Sequence, residues 1–133
     1  MDTIIDGGRR KRLGASGESL ALAHIARHGY HVVATNYRLP HRMHAGEIDI
    51  VALDGNILCF IEVKTRRSQT ADPTEAVGPA KRRQLIALAE AYLAQNACDD
   101  NLACRFDVIA VALPPACQGE PSVTVFKNAF WPE

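Results

Sequence analysis

Three charged residues stand among apolar neighbours in the middle of this chain. Asp49 lies in Glu47-Ile48-Asp49-Ile50-Val51-Ala52-Leu53, and Glu62 and Lys64 lie in Ile57-Leu58-Cys59-Phe60-Ile61-Glu62-Val63-Lys64-Thr65-Arg66. Asp54-Gly55-Asn56 separates the two runs, and Asp-Gly between β-rich runs signals a hairpin. An ionised side chain on a half-buried strand costs several kcal/mol, of the order known for buried charges, unless something compensates it. A divalent cation is one such compensation, and hard oxygen ligands suit Mg²⁺ or Mn²⁺.

Strand alternation gives the motif a geometry. Glu47 and Asp49 are expected on one face, with Ile48, Ile50 and Ala52 on the other. Glu62 and Lys64 share a face, opposite Ile61 and Val63. With the turn near Asp54 to Asn56, Asp49 and Glu62 become cross-strand neighbours, whose Cβ atoms lie roughly 4.5–5.5 Å apart when directly opposite. Two carboxylates that close repel unless a proton or a metal lies between them. The alternative is a solvated strand end, where Glu62 and Lys64 form a surface ion pair worth at most about 1 kcal/mol.

A further acid opens the first helical segment. Glu18 follows Gly14-Ala15-Ser16-Gly17. With Ser16 as a cap, Glu18 reads as a first-turn acid facing the helix dipole. It also reads as a third carboxylate brought over the sheet, with the small residues permitting close approach to a backbone or a phosphate.

The elements that must position these groups follow from periodicity. A helix is expected over 16–28, with Leu22, Ile25 and Ala26 inward and Gly29 as its stop. A strand over 30–39 ends near Pro40, and the hairpin follows. A second helix over 79–96 begins with Pro79 in its first turn and buries Leu85, Leu88, Ala89, Tyr92 and Leu93. A strand over 105–113 reads as buried on both faces, and 122–126 as an edge strand. The order α-β-β-β-α-β permits a parallel crossover between the third and fourth strands. The fold class is therefore α/β, a mixed central sheet flanked by helices. Residues 1–13 are expected to be a flexible basic tail and 14–133 a single domain.

Composition narrows the partners. The 133 residues are nearly half apolar, which excludes global disorder. No run approaches ~18 apolar residues and the N-terminus has no apolar leader core, so a cytoplasmic protein without membrane association is expected. Cys59, Cys98, Cys104 and Cys117 show no Cys-x-x-Cys spacing and are read as reduced and structural. Zero net charge argues against coating nucleic acid by bulk electrostatics. Yet between Glu62 and Arg83 lie six basic residues (Lys64, Arg66, Arg67, Lys81, Arg82, Arg83) against three acidic ones. A positive patch beside carboxylates suits a phosphate backbone at a metal site. Arg9-Arg10-Lys11-Arg12 reads as a solvated basic run.

Taken in order, Gly17-Glu18, Gly29-Tyr30, Asn36-x-Arg38, Gly46-Glu47-Ile48-Asp49, Phe60-x-Glu62-Val63-Lys64-x-Arg66, Lys81-Arg82-Arg83 and Arg105-Phe106-Asp107-Val108 give the chain a resemblance. It resembles the PD-(D/E)xK nuclease superfamily, with a restriction-endonuclease-like fold. More narrowly, it is similar to the YraN-like family of small bacterial proteins, related to Holliday-junction resolvases. The match covers roughly residues 13 to 112. The chain departs from the pattern in a longer link, Leu39 to Ala45, where His41 and His44 could meet a phosphate or metal, although loop histidines are more often solvated. The lysine position, variable among relatives, holds Lys64.

The resemblance implies a Mg²⁺- or Mn²⁺-dependent endonuclease acting on phosphodiester bonds, with DNA as partner, branched or recombination DNA among its substrates, and a homodimer as one assembly. Asp49 and Glu62 would be metal ligands, with the Val63 carbonyl as a third. Glu18 would position a second metal or its water, and Lys64 the attacking water. Arg66, Lys81, Arg82 and Arg83 would hold the backbone. Two alternatives stand beside it: a nucleic-acid-binding module without catalysis, and a protein-interaction domain.

Overall fold

The computed structural model describes residues 6–42, 45–67, 77–99, 101–114 and 119–130, with side chains from Ser16 onward. Its elements are α1 (Asp6–Arg27), β1 (Tyr30–Tyr37), β2 (Ile48–Asp54), β3 (Ile57–Arg66), α2 (Pro79–Gln95), β4 (Ala103–Ala112) and β5 (Ser122–Phe130). The five strands form one mixed sheet in the order β1-β2-β3-β4-β5. β3 and β4 run parallel, joined through α2, and the other neighbours are antiparallel. This is the expected α/β architecture with one more strand than the core order requires.

The hairpin follows its local chemistry. Asp54 pairs with Ile57 around Gly55 and Asn56, and Gly55 takes a φ of 63°. A positive φ at the first central residue of a two-residue turn is what glycine supplies without steric cost.

Each face of the sheet is closed by one helix. α2 buries Leu85, Leu88, Ala89 and Tyr92, as their spacing predicts, against Val51, Leu58, Phe60 and Phe106. α1 buries Ala21 and Ile25 against Ile50, Cys59, Ile61 and Ile109 on the opposite face. Among the described residues, no helix is long and apolar enough to cross a membrane.

Three local expectations are corrected. α1 begins at Asp6, ten residues before the expected helix start at Ser16. Its inward stripe is Gly17, Ala21 and Ile25, with Leu22 half-buried and Ala26 exposed. The stripe is small because helix and sheet are close: a Cβ on Gly17 would lie 1.9 Å from Thr65 Oγ1. Hydrophobicity does not register a glycine as a contact residue, so the expected face was rotated.

The third correction concerns β2. Ile48 packs on the α2 side, whereas Ile50 and Ala52 pack on the α1 side. The β2–β3 ladder ends at Ile50↔Ile61, and Ile48 pairs only with Tyr37 of β1. Beyond that last rung, β2 is free of the alternation that pairing with β3 would impose.

Candidate metal centre

Asp49 sits where β2 and β3 stop pairing. The Val63 N–H, which has no β2 carbonyl opposite it in the ladder, donates to Asp49 Oδ2 at 2.7 Å. Asp49 thereby caps the diverging strands, with its carboxylate in the gap between them. Gly46 takes a φ of 91° just before this segment, and a Cβ there would lie 2.7 Å from the Gln84 side chain of α2. Gly46 thus fixes the approach of the chain to Glu47 and Asp49.

α1 supplies the next acid. Glu18 lies in the interior of the helix, not in its first turn, so its role as a dipole-facing terminal acid is overturned. The contact of Gly17 with Thr65 holds this part of α1 against β3. Carboxylate oxygens of Glu18, Glu47 and Asp49 all lie within 4.8 Å of one another. Glu47 was expected only to share a face with Asp49, and the structure makes it part of the cluster.

Two residues of β1 and its exit hold these acids in place. Asn36 Nδ2 donates to Glu47 Oε2 at 2.8 Å and to Glu18 Oε1 at 3.3 Å. Asn36 does this from a left-handed backbone, φ 52°, which costs less for asparagine than for most residues. Arg38 donates to Glu47 Oε1 from Nε at 3.0 Å and from Nη2 at 2.7 Å. The Asn-x-Arg spacing was visible in the sequence, but its target was not.

Glu62 approaches from the α2 side. Its Oε2 lies 3.6 Å from Lys81 Nζ, while its Oε1 is buried without a hydrogen-bond partner. Lys81, expected to hold a nucleic-acid backbone, lies within ion-pair distance of Glu62. Lys64 is half-buried on β3 and acts on Glu62 through its charge.

The electrostatics divide these acids. Burial raises the Asp49 carboxyl, the Glu62 charge raises it further, and the Val63 N–H only partly offsets them, leaving it near 9. Burial also raises Glu62, against the opposing charges of Lys81 and Lys64. Glu47 is half-buried, and its hydrogen bonds to Asn36, Asp49 and Arg38 hold it below the ordinary range. The site therefore holds a Glu47 kept charged by its partners beside an Asp49 whose burial and acidic neighbour outweigh its single N–H donor. An orphaned buried carboxylate oxygen beside a cluster of hard oxygen donors fits Mg²⁺ or Mn²⁺. Glu18, Glu47 and Asp49 are the acids whose oxygens lie close enough together to hold such an ion, and Glu62, expected as a ligand, borders them as a charged neighbour of Asp49.

Arg82 and Arg83 are exposed early in α2, and Arg66 is half-buried at the end of β3. Val63, expected to offer its carbonyl as a ligand, meets Asp49 through its N–H. His41 is exposed in its loop, and His44 lies outside the described residues. Cys59 is a buried free thiol, Cys98 and Cys104 are free and half-buried, and Cys117 lies outside the described residues.

Comparison with known proteins agrees over most of the chain. A relative from Chlorobium chlorochromatii is 43% identical over 127 residues, 91% of this chain and 92% of its own length. One from Chlorobaculum parvum is 50% identical over 100 residues, covering 74% of each chain. One from Koribacter versatilis is 42% identical over 134 residues, 98% of this chain and 89% of its own. All three are named only as members of one family, and residues 17–111 match that family's pattern. That span runs from Gly17, beside Glu18, to Val111 in β4, and so takes in every acid of the cluster: the chain belongs to the uncharacterised protein family UPF0102.

Proposed function

We propose that this protein is a metal-dependent endonuclease of the PD-(D/E)xK type, hydrolysing phosphodiester bonds in nucleic acid, with DNA as the substrate. The observation that carries this reading is Asp49: buried, raised in pKa, within 4.8 Å of Glu18 and Glu47, and adjacent to a Glu62 with an unsatisfied oxygen. A Mg²⁺ or Mn²⁺ ion in such a site supplies an activated water and neutralises charge at phosphorus.

The chain's own residues divide the remaining work. Asp49 and Glu47 from β2 and its approach would hold the ion, with Glu18 from α1 and Glu62 from the adjacent strand bordering it. Asn36 and Arg38 keep Glu47 and Glu18 oriented, so that the acids do not swing apart when charged. Lys64 orients the nucleophilic water or stabilises the developing negative charge. Lys81 pairs with Glu62 and adds positive charge beside a bound phosphate. Arg66, Arg82 and Arg83 contact the strand backbone, giving salt-sensitive and largely sequence-independent affinity.

The test is cleavage of a labelled panel (four-way junction, flap, single strand, duplex and RNA) with Mg²⁺, Mn²⁺ or EDTA. Metal-dependent cutting that disappears in Asp49→Asn and Glu62→Gln is expected. Single-turnover cutting unaffected by both substitutions removes the assignment. The Lys81–Glu62 contact favours one second reading, in which the site is neutralised internally and the domain only binds nucleic acid. That reading requires salt-sensitive binding with no cutting under any metal.

A further inference from the structure

Next to the acidic cluster is a cavity of about 250 Å³, lined by Val77, Arg82, Val108, Phe126, Ala129 and Phe130. Lys127 completes the lining, but its ammonium is engaged by Asp54 at 3.2 Å. The cavity is therefore lined by apolar groups and two cations, Lys127 paired with Asp54, and Arg82. That guanidinium is positioned in advance: Nε donates to the Val77 carbonyl at 3.0 Å, and Cζ lies 5.5 Å from the centre of the Phe130 ring. Phe130 is itself stacked on Phe106, with ring centres 4.8 Å apart.

Two features tie the cavity to the candidate centre. Val108 of its floor is the register partner of Glu62 in the β3–β4 ladder, one strand spacing of roughly 4.8 Å away. Arg82 follows Lys81, which contacts Glu62. The start of α2 is also arranged for an anion. Gly78 provides no side-chain cap, the first turn carries no acid, and Lys81, Arg82 and Arg83 lie within the first turns. Basic residues at a helix N-terminus oppose the dipole, and a bound phosphate would satisfy both.

A cavity lined by Phe126 and Phe130 with a pinned guanidinium, beside a basic helix start, suits one nucleotide: the base packs on the guanidinium and the apolar wall, and the phosphate faces the cations. A base still paired in a duplex cannot enter such a cavity without leaving its stack. We propose that this cavity receives a single unstacked base of the bound strand, so that the preferred substrate carries unpaired nucleotides beside the cleaved phosphate. This rests on the nuclease reading for the cleavage, but base capture is measurable without it.

The probe is a single-stranded oligonucleotide with 2-aminopurine at one position, compared with its duplex in EDTA at fixed salt. Fluorescence quenching on binding, and single-strand affinity about tenfold above duplex affinity, are expected. Ala129→Phe fills the cavity and should abolish the quenching and the preference. Arg82→Lys keeps the charge but loses the planar face, and should reduce quenching more than the salt dependence of binding. Should Ala129→Phe fail to fold, the wild type and Arg82→Lys decide. Equal binding of single strand and duplex, with no quenching at any position, overturns the inference. Metal-dependent cutting in that same case leaves the nuclease reading standing. Quenching without cutting removes the nuclease reading and keeps base capture.

Discussion

Two buried carboxylate clusters lie at opposite ends of β2, and the chain treats them differently. At the Asp54 end, Asp107 is fully buried, and both of its oxygens are satisfied. Arg105 reaches them from Nε at 2.8 Å and Nη2 at 2.9 Å, and the Asn128 N–H donates at 3.1 Å. Arg105 also binds Asp54 at 2.9 Å and the Tyr30 hydroxyl at 3.0 Å, and Lys127 adds a second cation to Asp54. At the Asp49 end, Asp49 receives one backbone N–H, and Glu62 keeps an oxygen without a partner. Burial is similar, but compensation is not. A buried acid whose countercharge is built in belongs to the structure, whereas one left short of positive charge is a place for an ion from outside.

The largest test of this contrast removes the built-in charge. Arg105→Met leaves Asp107 buried and unpaired, and is expected to destabilise the protein by about 3–5 kcal/mol in urea unfolding. Asp49→Asn in EDTA should show no comparable loss. A matching loss would make Asp49 a structural acid and end the distinction.

Metal should act on one cluster only. Mn²⁺ at a hundredfold excess over its Kd is expected to stabilise the wild type by about 2.7 kcal/mol, read as a rise in Tm. The same ion should leave Asp49→Asn unmoved. An equal rise in both proteins would place the ion elsewhere.

The positioning residues come next. Asn36→Ala releases Glu18 and Glu47 together and should weaken Mn²⁺ binding about tenfold in calorimetry, with the fold retained by circular dichroism. Unchanged affinity would mean that Asn36 serves only its turn.

The smallest effect is the pH dependence, where the clusters should have opposite signs. Arg105 holds Asp54 below its usual 3.8, so the stability it adds is present above that value and is lost as pH falls. Asp49 is raised from 3.8 to about 9, so its contribution is fully present below about pH 4 and is lost as pH rises toward 9. Metal-free wild type should therefore lose at least about 1 kcal/mol relative to Asp49→Asn between pH 4 and 9. Parallel pH curves would show that the raised carboxyl has no thermodynamic weight.

Much of the scaffold for this contrast was legible before any coordinates. The Asp-Gly turn placed Asp49 and Glu62 on adjacent strands, and the spacing of Leu85, Leu88, Ala89 and Tyr92 oriented α2. β5 was read too short, as 122–126. Lys127 and Asn128 break its alternation, and three residues of β5 bulge opposite Asp107 before pairing resumes at Phe130. The Arg105-x-Asp107 pair was noted as a motif without a purpose, because its partners Tyr30 and Asp54 are more than fifty residues away.

By itself the sequence determined what depends on near neighbours: the hairpin, the buried face of α2, the parallel crossover and the presence of acids on apolar strands. Those features follow from turn chemistry and from the periods of helix and strand, which act over a few residues. Only the tertiary structure decided which acids meet. Gly17 brings α1 close enough for Glu18 to join Asp49, Asn36 and Arg38 select Glu47, and Lys81 crosses from α2 to Glu62. These are contacts between elements distant in the chain, set by how closely helix and sheet pack and by where the β2–β3 ladder ends. No local period encodes those distances, so the identity of the acidic cluster around Asp49 emerges only when the chain is folded.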